Sequence, residues 1–257
     1  MKILYMSLVL IMLTTPAIAE TTVIAHRGFS SIAPENTVAA VKRAAEMNPA
    51  PGYIEIDLHR SQDGVLVVCH DENTLRTTGR DWMIREHPFS ALRGLDAGYA
   101  TQFQDKFENE PLPRLEDVLD VVKDKPIGIM IECKQLLLED QVIQILRERD
   151  ELEKHVIASF DELSVYRANQ LDPTVKTLYL NSNLNPTSIW RARDVQADII
   201  GTNLQQKTTY LDAAKEAGFD VWVWTVDDPK EVKRWVSAGA DGIISNKPDM
   251  VLKTIAE

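Results

Sequence analysis

The chain has 257 residues, 44% hydrophobic and 26% charged, with 39 acidic against 28 basic side chains and a formal net charge of −11 at pH 7. That length suits one α/β barrel as well as two smaller domains, and the acidic balance excludes broad electrostatic attraction to nucleic acid or to an anionic membrane. An anionic substrate has to be drawn by positive charge concentrated in a pocket.

The first residues are ordered as an export signal: Lys2, an apolar run over 3–13, then Thr14-Thr15-Pro16 and Ala17-Ile18-Ala19. Cleavage is expected after Ala19, which takes the net charge from −11 to −12 because Lys2 is the only charge removed. The run falls short of the ~20 residues that span a bilayer, and no cysteine follows it as a lipid acceptor. A periplasmic or secreted protein without stable membrane insertion is expected, its mature domain covering 20–257.

From there, short β-branched runs alternate with segments of helical period, the pattern of repeated βα units. Parallel strands are expected at 22–26, 53–58, 127–133, 156–160, 177–180, 198–202, 221–226 and 241–245. Helices are expected at 36–47, 115–122, 140–150, 162–170, 186–193, 208–217 and 229–238. Eight such strands make a TIM (β/α)8 barrel. A further run at 65–70 follows the second strand too closely for a helical crossover, and Asp63-Gly64 supplies a hairpin turn. This added strand is therefore antiparallel, in a register expected to set Asp57 opposite His70. From 72 to 114 the rhythm lapses into an insertion carrying Trp82, Phe89, Tyr99, Phe103 and Phe107, a small subdomain of the kind that covers or selects substrate.

Reactive groups in such a barrel gather at the carboxyl ends of the strands, where His26, Glu55, Asp57, Glu132, Lys134 and Trp224 all fall. Glu55 and Asp57 share a strand face because side chains repeat every second residue, and Glu132-Cys133-Lys134 repeats that geometry with a third carboxylate and an ammonium. Three carboxylates without a Cys or His cluster suit one hard divalent cation, Mg²⁺ or Ca²⁺. His26 and His70 are the acid/base candidates, with His59, His87 and His155 in structural or surface roles. Arg27 can fork onto a phosphate. Pro34-Glu35-Asn36-Thr37 reads as a helix start capped by Asn36 or Thr37, with Glu35 as either a first-turn carboxylate or support for the site. Trp222 and Trp224 share a face, as core or, for Trp224, as a wall beside the substrate alcohol. Cys69 and Cys133 are either bridged or buried as free thiols.

The ordered series His26-Arg27-Gly28, Pro34-Glu35-Asn36-Thr37, Glu55-Ile56-Asp57, Val67-Val68-Cys69-His70-Asp71, Leu75-Arg76-Thr77-Thr78, Pro113-Arg114-Leu115-Glu116-Asp117, Glu132-Cys133-Lys134, Trp224-Thr225-Val226 and Asp241-Gly242-Ile243-Ile244 resembles the glycerophosphodiester phosphodiesterases of the phospholipase-C-like barrel superfamily. The resemblance spans essentially the whole mature chain. It implies metal on Glu55, Asp57 and Glu132, acid/base roles for His26 and His70, phosphate contacts from Arg27 and Lys134, and hydrolysis of a small-molecule glycerophosphodiester to sn-glycerol 3-phosphate and an alcohol. Lysophospholipase-D-like cleavage, with Trp82, Phe89, Tyr99 and Phe103 forming an acyl trough, and non-catalytic binding are the alternatives. Arg114 stands where this family commonly has Thr, and Ser245-Asn246 where Thr-Asp is frequent; both departures are expected to lie away from the chemistry.

Overall fold

Eight strands hydrogen-bond in parallel and close on themselves in the computed structural model, which describes residues 21–99, 103, 106–205 and 208–257. The expected export signal at 1–19 lies outside the described residues. In chain order the elements are β1 (Thr22–Ala25), α1 (Val38–Ala45), β2 (Tyr53–Arg60), β3 (Leu66–Val68), α2 (Leu75–Thr78), α3 (Phe89–Leu92), α4 (Leu115–Val122), β4 (Gly128–Cys133), α5 (Glu139–Glu148), β5 (Val156–Ser159), α6 (Glu162–Leu171), β6 (Lys176–Asn181), α7 (Pro186–Asp194), β7 (Ile199–Asn203), α8 (Leu211–Glu216), β8 (Asp220–Trp224), α9 (Pro229–Ser237), β9 (Gly242–Ser245) and α10 (Pro248–Ala256). The barrel runs β1-β9-β8-β7-β6-β5-β4-β2 and is sealed by the β1–β2 pairing. All eight expected strands are present within one or two residues at each end.

Strands covered on both faces read as continuous apolar runs, and alternation divides their side chains between two environments. Ile24, Met130, Leu178, Leu180, Trp222 and Ile244 fill the lumen. Ile54, Ile56, Leu58, Ile129 and Ile131 point outward against Val41 of α1, Val118 of α4 and Val142 of α5. The same alternation turns Glu55 and Asp57 inward on β2, and Glu132 inward on β4. Cys133 consequently faces outward into the helix layer, Cys69 packs beneath the insertion, and both are buried free thiols. Local signals set the helix starts: Asp161 caps α6, Asn185 caps α7 ahead of Pro186, and Asp228 caps α9 ahead of Pro229.

Two local expectations are corrected. β3 pairs antiparallel with β2 through Leu58↔Val68, His59↔Val67 and Arg60↔Leu66, and the Cys69 amide donates to the Asp57 carbonyl at 2.9 Å. Asp57 thus lies opposite Cys69, one residue from the expected partner. Val67 and Cys69 must face the apolar underside of the insertion, with Ile84, Leu92 and Leu112, and burying that row decides the register. The first helix starts at Val38 rather than at 36, capped by Thr37 Oγ1, which accepts from the Ala40 amide at 3.1 Å.

The insertion holds α2, α3 and short bridged segments, Asn73 to Met83 and Asp96 to Pro111. Its described aromatics mostly serve its own packing: Trp82 stacks on His87 with centroids 4.4 Å apart, and Phe89 packs on the cluster below.

Candidate active site

The loop after β1 builds one wall of the site. Arg27 and Gly28 adopt left-handed backbone at φ 55° and 82°, and a Cβ on Gly28 would lie 2.6 Å from the Ala40 carbonyl carbon. Glycine is what lets this loop sit against α1. The turn at Arg27, a strained conformation for a side-chain-bearing residue, aims its amide at Glu55 Oε2 (2.8 Å) and its Nη1 at Glu35 Oε1 (2.8 Å). Its Nε stands 3.4 Å from Asp57 Oδ2. Asn36, also left-handed at φ 57°, clamps Asp57 twice: Asn36 Nδ2 donates to Asp57 Oδ2 at 2.8 Å, and Asn36 Oδ1 accepts from the Asp57 amide at 3.2 Å.

The carboxylates of Glu55, Asp57 and Glu132 each place an oxygen within 4.8 Å of the others, all three side chains being buried. Lys134 Nζ donates to Glu132 Oε1 at 2.8 Å and lies 3.4 Å from Asp57 Oδ1. Glu55 Oε1 is buried with no hydrogen-bond partner. Burial, then the negative charges of Asp57 and Glu132, hold the Glu55 carboxyl well above its usual range. Burial and Asp57 likewise push Glu132 up to about 7 against the pull of Lys134. Burial also raises Asp57, but Arg27 and Lys134 outweigh it and hold this carboxyl low. A buried acidic group with one oxygen orphaned and two of three carboxyls resisting ionisation is short of positive charge. Hard oxygen donors in that state fit a divalent cation.

His26 and His70 face the same cavity. His26 Nε2 is 3.9 Å from Glu55 Oε2, and burial followed by the neighbouring Arg27 charge draws its pKa down to about 4. His70 reaches the cavity from the bend that follows β3, its Nδ1 held by Asp71 Oδ1 at 2.7 Å. Asp71 Oδ2 accepts from Arg76 Nε at 2.6 Å, and Arg76 forks onto both oxygens of Glu35 at 2.7 and 2.9 Å. Glu35 therefore joins Arg27 to Arg76 of the insertion and is no first-turn helix carboxylate. His59 donates from Nε2 to the His70 carbonyl (3.1 Å), and His155 is fully buried elsewhere, its Nδ1 accepting from the Ile129 amide at 2.9 Å.

The cavity holds about 230 Å³ and is lined by His26, Arg27, Glu55, His70, Glu132, Lys134 and Trp224, on an apolar floor of Met130, Leu180 and Ile244. The two tryptophans divide the two roles open to them: Trp222 is core, packed on Tyr53 at 5.2 Å, while Trp224 walls the cavity edge-to-face with Phe160, centroids 5.7 Å apart. Trp82, Phe89 and Tyr99 do not line this cavity; Trp82 and Tyr99 border a separate one of about 610 Å³ in the insertion. His26, Arg27, Glu55, His70, Glu132, Lys134 and Trp224 thus share one cavity, and Glu35, Asn36 and Asp57 are tied to it through hydrogen bonds and ion pairs. Sequence reasoning passed over Asp71, Arg76, Phe160 and Asp227 as site residues, although Asp71 and Arg76 lie within the quoted motifs. Asn246, expected to stand apart from the chemistry, has its Oδ1 2.7 Å from His26 Nδ1.

A parallel barrel that collects carboxylates, fixed cations and two imidazoles in a small mouth is, as a class, an α/β-barrel phosphoric diester hydrolase. A family model described as the glycerophosphoryl diester phosphodiesterase family matches residues 26–250, and the chain belongs to that family. It is 32% identical over 244 residues to a glycerophosphodiester phosphodiesterase of Caldanaerobacter subterraneus subsp. tengcongensis, an alignment covering 92% of this chain and 98% of the relative. A phosphodiesterase from Oleispira antarctica, solved in complex with the product sn-glycerol-3-phosphate, superposes with a TM-score of 0.84 at 26% identity, over 92% of this chain and 97% of that one. A glycerophosphodiester phosphodiesterase from Agrobacterium tumefaciens gives 0.78 at 27% identity, over 91% and 99%.

Proposed function

We propose that this chain is an exported, metal-dependent enzyme that hydrolyses small glycerophosphodiesters to sn-glycerol 3-phosphate and a free alcohol. The observation that carries the reading is the buried Glu55, Asp57 and Glu132 cluster facing His26 and His70 across one cavity. The product-bound Oleispira relative supports the substrate class. A cation bound by the three carboxylates, Mg²⁺ or Ca²⁺, supplies charge to offset that building on the phosphoryl oxygens.

The chain's own residues do the rest. Arg27 and Lys134 bind and orient the phosphate. One histidine takes the proton of the attacking hydroxyl, either the glycerol 2-hydroxyl, giving a cyclic phosphate that water then opens, or water itself. The other gives a proton to the leaving alcohol. Trp224 walls the substrate alcohol, and Glu35 and Asn36 hold Arg27 and Asp57 in place. Residues 1–19 are the cleaved signal and 20–257 the mature periplasmic or secreted domain; among the described residues no helix is long and apolar enough to cross a membrane.

The test is to offer the purified enzyme glycerophosphocholine and lysophosphatidylcholine in parallel and to follow both products. Release of sn-glycerol 3-phosphate from the first is expected, with little turnover of the second. A preference for the lysolipid would replace this reading with lysophospholipase D activity, and saturable binding without turnover would replace it with capture.

A further inference from the structure

The strands β1, β9 and β8 are consecutive neighbours in the barrel, and across the loops that leave their ends runs a polar chain that ends on His26. The His26 amide donates to the Ser245 carbonyl at 2.9 Å, tying the loop after β1 to the end of β9. Asn246 follows β9, and Asp227 follows β8. Asn246 Nδ2 donates to Asp227 Oδ2 at 2.6 Å, while Asp227 Oδ1 accepts from the Asn246 amide and from Ser245 Oγ, each at 2.9 Å.

A carboxylate beside these donors accepts, so the Asn246 nitrogen must be the atom that faces Asp227. Its Oδ1 is thereby turned to His26 Nδ1, 2.7 Å away. Ser30 Oγ lies 2.8 Å from that same oxygen and 2.8 Å from the His26 carbonyl, and gives its single proton to one of them. An amide oxygen can only accept, so His26 Nδ1 must donate. A neutral imidazole that carries its proton on Nδ1 has its lone pair on Nε2, the nitrogen that stands 3.9 Å from Glu55 in the cavity. The equivalent position behind His70 is filled differently, by the Asp71 carboxylate at 2.7 Å.

Resting on the glycerophosphodiesterase reading, we propose that Asn246, held by Asp227, is a positioning residue that fixes His26 in its Nδ1–H tautomer, presents the bare Nε2 to the attacking hydroxyl, and makes His26 the base of the first step. In that step the hydroxyl oxygen forms the new bond to phosphorus as its proton passes to His26 Nε2. The bond from phosphorus to the alcohol breaks with its electron pair on the leaving oxygen, which takes a proton from His70.

The experiment joins ¹⁵N-histidine NMR of the full mature chain near pH 7.5 with steady-state kinetics. The His26 spectrum of the wild type is expected to show the proton on Nδ1, and N246L to lose that fixed tautomer. For N246L, turnover of glycerophosphocholine is expected to fall about 10- to 100-fold with KM within about twofold, as for other groups that orient an active imidazole. The exchanged pair N246D/D227N can remake the acceptor to His26 and the bond between the two positions, and is expected to recover most of the turnover. A wild-type His26 protonated on Nε2, or N246L with unchanged turnover, overturns the proposal. If N246L fails to fold, the wild-type spectrum and the exchanged pair still decide it. A wild type that turns over no diester, while its spectrum shows Nδ1–H, refutes the activity and leaves the tautomer assignment standing.

Discussion

Asn36 shows how a single side chain converts a loop into part of the wall of the candidate site. Its amide donates to Asp57 Oδ2 and accepts from the Asp57 amide, so Asn36→Ala would leave a buried carboxylate free to turn away from Glu55 and Glu132. Divalent-cation affinity and turnover of N36A are each expected to fall about 10- to 100-fold, the cost typical of groups that orient a metal ligand, measured by metal titration of activity. In the proposed mechanism His70 is a proton-transfer group, so turnover of His70→Ala is expected to drop about 10²- to 10⁴-fold at little change in KM, on initial rates. At this scale the titratable residues that line the cavity were legible because their chemistry is specific to residue type, whereas Asp71, Arg76 and Asp227, which stand behind them, were not. Asn246 was not, since a neutral amide 220 positions along the chain from His26 becomes relevant only once β9 and β1 are neighbours.

Elements carry the stability. Gly28 lets the loop after β1 lie on α1, and Gly28→Ala meets the Ala40 backbone at 2.6 Å in a left-handed conformation. A loss on the order of 2–4 kcal/mol is expected from this overpacking and strain, read as a lowered denaturation midpoint. The β5 end of the barrel holds His155, whose Nδ1 must stay unprotonated to accept from Ile129 in β4, and burial pulls its pKa down to about 3. Because the folded value lies below the unfolded one, the unfolded chain binds the extra proton as pH falls. The contribution is complete above about pH 6.5 and is lost towards pH 3, at about 1.4 kcal/mol per pH unit. Between pH 7 and pH 5 this site is expected to cost about 2 kcal/mol in the wild type and nothing in H155Q, measured as the pH dependence of denaturant unfolding in the two proteins. Strand positions were readable because a strand buried on both faces has an apolar run and nothing else to be. The β2–β3 register was not, since a three-residue strand takes its phase from the insertion it covers, through Val67 and Cys69. Helix α10 was missed altogether, although a (β/α)8 barrel places a helix after its last strand: it opens on Pro248 without a side-chain cap to mark its start.

For the molecule as a whole, the insertion is wired into the barrel mouth through Arg76, which ties Glu35 to Asp71 and so links the surroundings of Arg27 and His70. Arg76 is about half exposed, so R76A should cost under about 1 kcal/mol of stability. Its turnover is expected to fall several-fold or more, the two effects being separated by thermal unfolding and initial rates on one preparation. The barrel was legible from alternation alone, whereas the cavity's apolar floor of Met130, Leu180 and Ile244 was not, because residues from three strands meet there only after closure. The proposed function requires a cation held by Glu55, Asp57 and Glu132. Its most direct test is release of sn-glycerol 3-phosphate from glycerophosphocholine by chelator-stripped enzyme before and after Mg²⁺ or Ca²⁺ is restored, beside E55Q. Loss of release on stripping, recovery with one of the two ions and no recovery in E55Q are expected; equal release with and without metal would contradict the account.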